Sequence, residues 1–244
     1  MPPMKHEINT FFGQVHVINL RSRPDRRAEM QTQLGHIGLS FESHRLRLFE
    51  ANKPLDKAGF PTLGARGCFM SHLAVLHLAL KDNAKSVLIL EDDLNFCEGF
   101  RSKFDALAQA LQALDWGMFY GVYRLEDPIA PTGAVLTRVD PQQPIVTTAF
   151  VAVNGHHIAA LVSHLDAMLQ RAPGDPQGGP MHIDGAYHWF RQSHPEVSTW
   201  LATPPLGFQR SSRTDVHALR WFDRISGSAW LASLARRWRN RMRR

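Results

Sequence analysis

Four consecutive apolar residues, Val87 to Leu90, run without a spacer into three carboxylates, Glu91, Asp92 and Asp93. An apolar run of this kind reads as a strand buried on both faces, as in the interior of a parallel sheet. Carboxylates packed so closely repel one another, and burying them without a counter-charge costs several kcal/mol. In open α/β sheets, ligands bind in the crevice beyond the carboxyl ends of the strands. The stretch Ser86 to Asp93 therefore reads either as a site for something cationic or as a solvated acidic turn after a core strand.

A chain of 244 residues, 44% hydrophobic, is long enough for one good-sized α/β domain or two small ones. No apolar run approaches the roughly 20 residues that span a bilayer. The start, Met1 to Glu7, carries no apolar stretch of the signal-peptide kind. Cys68 and Cys97 make neither a disulfide framework nor a zinc cage by themselves, and read as reduced core thiols of a cytoplasmic protein. The net charge of +6 sits at one end: Arg236, Arg237, Arg239, Arg241, Arg243 and Arg244 account for all of it. The remainder is balanced, which argues against a body built to grip nucleic acid. His-Glu-x-x-His, Cys-x-x-Cys, Gly-x-Gly-x-x-Gly, Walker and Gly-x-Ser-x-Gly patterns are absent from the sequence.

In chain order, Val15 to Leu20 reads as a first strand and Pro24 as the opening of a helix to about Leu34, capped by Ser22 or Arg23. The arginines of this turn are either an anion site at a helix N-terminus or a solvated basic turn. Phe41 to Leu48 predicts a second strand, and Ala51 to Gly64 an irregular loop. A helix opens at Gly67, with Cys68, His72, Val75, Leu76 and Ala79 largely on one face, so His72 needs a buried partner. A helix over Phe100 to Leu114 and strands over Trp116 to Val122 and Ile145 to Val153 follow. Gly155 to Gln170 reads as helical, and Arg171 to Met181 is too rich in Pro and Gly for regular structure. Asp184 is placed as an N-cap of a helix to about Gln192, or as a general base delivered by a flexible loop. Ser198 to Ala202 reads as a last strand, and Thr203 to Val216 as a polar closing loop.

Three ordered stretches resemble glycosyltransferase family 25: Val17-Ile18-Asn19-Leu20 through Arg26, Gly67-Cys68-x-x-Ser71-His72-Leu73, and Leu88-Ile89-Leu90-Glu91-Asp92-Asp93. Ala65-Arg66 stands where that family usually has an acidic and then an apolar residue. The resemblance implies a GT-A-like (Rossmann-like) α/β fold, with a mixed, mainly parallel sheet flanked by helices. It further implies an inverting, metal-assisted transfer of a hexose, galactose or glucose, from a UDP-sugar to a glycan or lipid-linked acceptor. A catalytic domain over 1–216 is then followed by a tail over 217–244. On this reading Mn²⁺ or Mg²⁺ sits on Asp93 with help from Glu91 on the same side of the strand, while Asp92 points the other way toward the ribose. Asn19, Arg23 and Arg26 line the nucleotide end, Ser71 and His72 shape the donor pocket, Arg210 and Arg213 assist the diphosphate, and Asp184 is the base. A sugar-nucleotide or glycan-binding module without catalysis is the alternative.

Trp230, Leu231, Leu234, Trp238 and Met242 recur at helical spacing among the tail arginines. An amphipathic helix on an anionic membrane is expected, which would make the protein peripheral on the inner face of the cytoplasmic membrane, near an acceptor such as lipopolysaccharide core.

Overall fold

The computed structural model of the chain describes residues 6–127 and 133–210. The tail over 217–244, and Arg213 with it, lie outside the described residues.

The elements in order are α1 (Ile8–Phe11), β1 (Gln14–Asn19), α2 (Pro24–His36), β2 (Leu46–Glu50), α3 (Leu63–Lys81), β3 (Ser86–Glu91), β4 (Leu94–Phe96), α4 (Phe100–Gln112), β5 (Met118–Leu125), β6 (Leu136–Val139), β7 (Ile145–Asn154), α5 (Gly155–Leu169), α6 (Ile183–Ser193), β8 (Thr199–Ala202) and β9 (Gly207–Gln209). Seven strands form one mixed sheet in the order β2-β1-β3-β7-β5-β8-β6. β1 is parallel to β2 and β3, and β5 is parallel to β8. β7 runs antiparallel to both β3 and β5, and β6 antiparallel to β8. β4 and β9 make a separate two-stranded ribbon.

The apolar run of β3 is explained by helices on both faces. Val87 and Ile89 enter one core layer, together with Leu73, Leu76, Ile158, Leu161 and Phe190 from α3, α5 and α6. Leu88 and Leu90 enter the other, against Met30, Leu34, Phe100 and Phe104 from α2 and α4. Each such side chain contributes about 1.5–3 kcal/mol on burial, so a strand covered on both sides must be apolar throughout. α3 has the length and hydropathy of a membrane span, with 19 residues and a mean hydropathy of 1.3, but its apolar face packs in the layer of Val87 and Ile89.

Several boundaries differ from the predicted ones. The second strand begins at Leu46, because Ser43 Oγ accepts from Ser40 N (2.9 Å) and holds the preceding residues in a turn. α3 begins four residues before Gly67, capped by Thr62, whose side chain accepts from Ala65 N. The helix expected to be capped by Asp184 starts two residues earlier, so Asp184 lies in its first turn and His182 at the N-cap. β4, β6 and β9 have three or four residues each and carry no alternation that a local pattern would reveal.

Candidate active site

Topology alone brings the charged groups together. Ile18 lies opposite Glu91 in the parallel β1–β3 pair, so Asn19 and Asp92 leave the sheet side by side. β7 runs antiparallel with Phe150 opposite Leu90, which brings Thr148 to Glu91. In the ribbon, Leu94 lies opposite Gln209, which sets Gln209 and Arg210 against Asp93.

Glu91 has the same parity as Val87 and Ile89 and faces α3. Its Oε1 accepts from Thr148 Oγ1 (2.6 Å) and lies 3.3 Å from His72 Nε2 and 4.0 Å from Cys68 Sγ. His72, fully buried, holds Tyr187 OH at 3.0 Å with its other nitrogen. Burial opposes the charge of Glu91, but the His72 and Thr148 hydrogen bonds outweigh it and hold the carboxyl below its usual range. Burial, followed by the surrounding carboxylates, pushes the Cys68 thiol well up.

Asp92 faces the opposite side and is spoken for. Asn19 Nδ2 donates to Oδ2 (2.7 Å) and Arg26 Nη1 to Oδ1 (2.9 Å). Burial nonetheless raises its carboxyl, Arg26 and Asn19 offsetting only part. β3 ends at Glu91, so strand alternation does not extend to Asp93. Its Oδ2 lies 3.6 Å from Arg26 Nη2 and accepts from Gln209 Nε2 (3.3 Å). Its Oδ1 is buried and takes no hydrogen bond from the described residues. Burial, then the negative charge of Glu91, pushes the Asp93 carboxyl up to about 7.

Arg210 braces this turn from outside. Its backbone N donates to Asp93 O (2.6 Å), Nη2 to Asp92 O (2.5 Å) and Nη1 to Asn95 Oδ1 (2.8 Å), and the guanidinium pairs with Glu29 at 3.2 Å. Part of the cationic character that the acidic triplet demands is thus supplied by the protein itself, through Arg26 and Arg210.

A strained bulge connects the two flanks. The β5–β7 register shifts between Val122/Phe150 and Arg124/Val146, and Thr147 within it has φ 74. A β-branched residue in the left-handed region is strained, and bulges of this kind gather beside functional sites. Thr147 Oγ1 donates to Gln209 Oε1 (3.0 Å), and its N points to Asp184 Oδ2 at 3.5 Å. The other oxygen of Asp184 accepts from Gly185 N (2.9 Å), which leaves the carboxylate capacity for a further donor.

The structure brings Asn19, Arg26, His72, Glu91, Asp92, Asp93 and Arg210 together, but in roles partly different from those expected. Asp92 is locked to Asn19 and Arg26 rather than left to reach a ribose. Arg210, expected to assist the diphosphate, holds the acidic turn. Ser71 is fully buried, accepting from Asn52 N (2.8 Å) and donating to Gly67 O (2.6 Å), so it staples the preceding loop to α3 rather than shaping a pocket. Arg23 pairs with Asp25 at 2.7 Å. Arg66, at the position that departs from the family pattern, pairs with Asp56 in that same loop. Thr147, Thr148 and Gln209 are brought to the site by the register of β7 and β9, and Tyr187 by the packing of α6 against α3.

Residues 12–126 match the model of glycosyltransferase family 25 (LPS biosynthesis protein). A glycosyltransferase 25 family member of Drosophila melanogaster is 31% identical over 137 residues, covering 48% of this chain and 22% of the relative. An inactive glycosyltransferase 25 family member 3 of Homo sapiens is 28% identical over 136 residues, covering 48% of this chain and 23% of the relative. The chain therefore spans under a quarter of the length of the curated relatives it matches. Among solved structures, a glycosyltransferase involved in the glycosylation of the major capsid of PBCV-1 aligns with TM-score 0.47 at 13% identity, covering 83% of this chain and 95% of the other. Over residues 12–126, which carry Asn19, Arg26, Cys68, His72 and the acidic triplet, the chain is similar to glycosyltransferase family 25.

Proposed function

We propose that the chain is an inverting hexosyltransferase that moves galactose or glucose from a UDP-sugar to a glycan or lipid-linked acceptor such as lipopolysaccharide core. The observation that carries this reading is Asp93: a buried carboxylate beyond a strand's carboxyl end, with one oxygen that takes no hydrogen bond from the described residues. An oxygen donor set of that kind fits Mn²⁺ or Mg²⁺, held by Asp93 with Glu91. Such an ion, when bound, supplies positive charge against the leaving nucleotide diphosphate.

The chain's own residues do the rest. Arg26 and Arg210 keep the acidic turn folded, and Thr148 with His72 keeps Glu91 ionised and oriented. Asn19 and Arg23 flank the nucleotide end, and Arg213 assists the diphosphate. Asp184 takes the proton of the acceptor hydroxyl on the face opposite the leaving group. Residues 1–216 form the catalytic domain. The basic tail holds the protein peripherally on the inner face of the cytoplasmic membrane, where a lipid-linked acceptor is presented.

A second reading, a sugar-nucleotide or glycan-binding module without catalysis, draws on Arg26: it fills the acidic turn with an internal cation. Transfer and hydrolysis of UDP-sugars with and without Mn²⁺ separate the two. Turnover that is lost on chelation and in Asp93→Asn supports the transferase. Donor binding without turnover across an acceptor panel would leave the binding module.

A further inference from the structure

Cys68 and His72 lie four residues apart on α3, so a single helical turn stacks them on one face. There both meet the same oxygen: His72 Nε2 is 3.3 Å and Cys68 Sγ 4.0 Å from Glu91 Oε1. The donor atoms of all three lie within 4.8 Å of one another. Tyr187 on α6 engages the other His72 nitrogen at 3.0 Å, which fixes the ring with Nε2 toward Glu91. A metal-bound histidine needs a partner of this kind on its second nitrogen.

Two of the three donor–donor edges lie near the length an ion requires. Tetrahedral zinc, with bonds of about 2.0–2.3 Å, sets its donors roughly 3.3–3.5 Å apart. The His72–Glu91 pair is already at that edge length, and the Cys68–Glu91 pair needs to close by about half an ångström. Thiolate, imidazole and carboxylate together select a borderline ion, whereas Mg²⁺ and Mn²⁺ take all-oxygen sets. The Glu91 side chain keeps 18% exposure, which leaves a way in.

We propose that Cys68, His72 and Glu91 form a three-donor site for a borderline divalent ion such as Zn²⁺, with a fourth position open. On binding, the sulfur–metal bond replaces the thiol S–H and that proton passes to solvent. The proton that His72 Nε2 donates to Glu91 in the metal-free site is exchanged through solvent for one on Nδ1, donated to Tyr187 OH, which frees Nε2 for the metal. If Glu91 serves the transferase reaction as proposed above, zinc here draws Glu91 away from that work. The site itself does not depend on the transferase reading.

The test uses the full chain, reduced, titrated with Co²⁺ and followed by its visible ligand-field bands and its near-ultraviolet thiolate-to-cobalt charge transfer. One equivalent is expected to develop the charge-transfer band in the wild type and in Cys97→Ser, and Zn²⁺ to bleach it. Cys68→Ser is expected to lose it. Glu91→Gln, which keeps the thiol, is expected to weaken cobalt affinity at least about tenfold. No band in the wild type, a band that persists in Cys68→Ser, or unchanged affinity in Glu91→Gln would overturn the proposal. The readout is spectroscopic, so a chain that transfers no sugar would still pass or fail it.

Discussion

The Arg26 guanidinium spans two adjacent carboxylates, with Nη1 2.9 Å from Asp92 Oδ1 and Nη2 3.6 Å from Asp93 Oδ2. Removing one partner of a buried ion pair leaves the other uncompensated and costs about 3–5 kcal/mol. Arg26→Ala is therefore expected to lose about that much in urea unfolding, and Arg26→Lys less. A lysine restores the charge, but as a point that serves one carboxylate at a time. A loss below about 1 kcal/mol in Arg26→Ala would refute this balance.

Asp93 predicts an inverted pH dependence. Its carboxyl is raised from 3.8 to about 7, so between those values the folded state binds more protons than the unfolded chain. Stability falls as pH rises through that window, and the full cost is present above pH 7. In a chelator, Asp93→Asn should melt roughly 3 °C or more above the wild type at pH 8, and the gap should close near pH 4. His16, held at about 4 chiefly by burial, has the opposite slope, losing stability as pH falls below 6.5. That contribution is common to both proteins and cancels in the difference. A gap independent of pH would contradict the assignment.

Thr148 donates a 2.6 Å hydrogen bond to Glu91 from the β7 bulge. Valine is its near-isostere without the hydroxyl, so Thr148→Val isolates that bond. A hydrogen bond to a charged group is worth about 1.5–3 kcal/mol, and the variant should lose that much while Thr148→Ser keeps most of it. Chemical denaturation of the three proteins measures it, and equal stability of Val and Ser variants would count against the bond.

Gly67 tests the approach of α3 to the loop before it. A Cβ there would sit 2.7 Å from Asn52 O, a backbone atom with little freedom to move. Gly67→Ala is expected to destabilise by about 1–3 kcal/mol. Gly35 in α2 has nothing within 4 Å of the same added carbon, so Gly35→Ala should stabilise by roughly 0.5–1 kcal/mol. Thermal melts of the pair, with matching signs instead of opposite ones, would refute the packing argument.

The tail proposal predicts that deleting the last 18 residues releases the protein from anionic vesicles. Six arginines at about 1 kcal/mol each near such a surface supply at most roughly 6 kcal/mol. Flotation with anionic and with neutral vesicles measures it, and binding unchanged by the deletion would end the idea.

Much of the framework was legible because it is written locally. The apolar run into Glu91 announces a strand covered on both faces, Pro24 announces a helix start, and the spacing from Cys68 to Ala79 announces a buried helical stripe. Glu91 and Asp92 also diverge as strand alternation predicts. The alternation does not extend to Asp93, because β3 ends two residues before it. The short strands β4 and β9 were illegible because residues more than a hundred positions apart create them.

The amino-acid sequence by itself determined which charges must meet: three carboxylates at a strand's end, with Asn19 and Arg26 after the first strand and His72 before the third. It also determined the layers, since the period of the apolar residues decides which face each element buries. Only the tertiary structure decided which partner each carboxylate takes. Asp92 goes to Arg26, Glu91 to Thr148 and His72, and one oxygen of Asp93 to none of the described residues, because strand register and the Thr147 bulge place those groups to within ångströms. Hydrogen bonds and ion pairs fall away over about that distance, and no pattern of residue types along the chain specifies it.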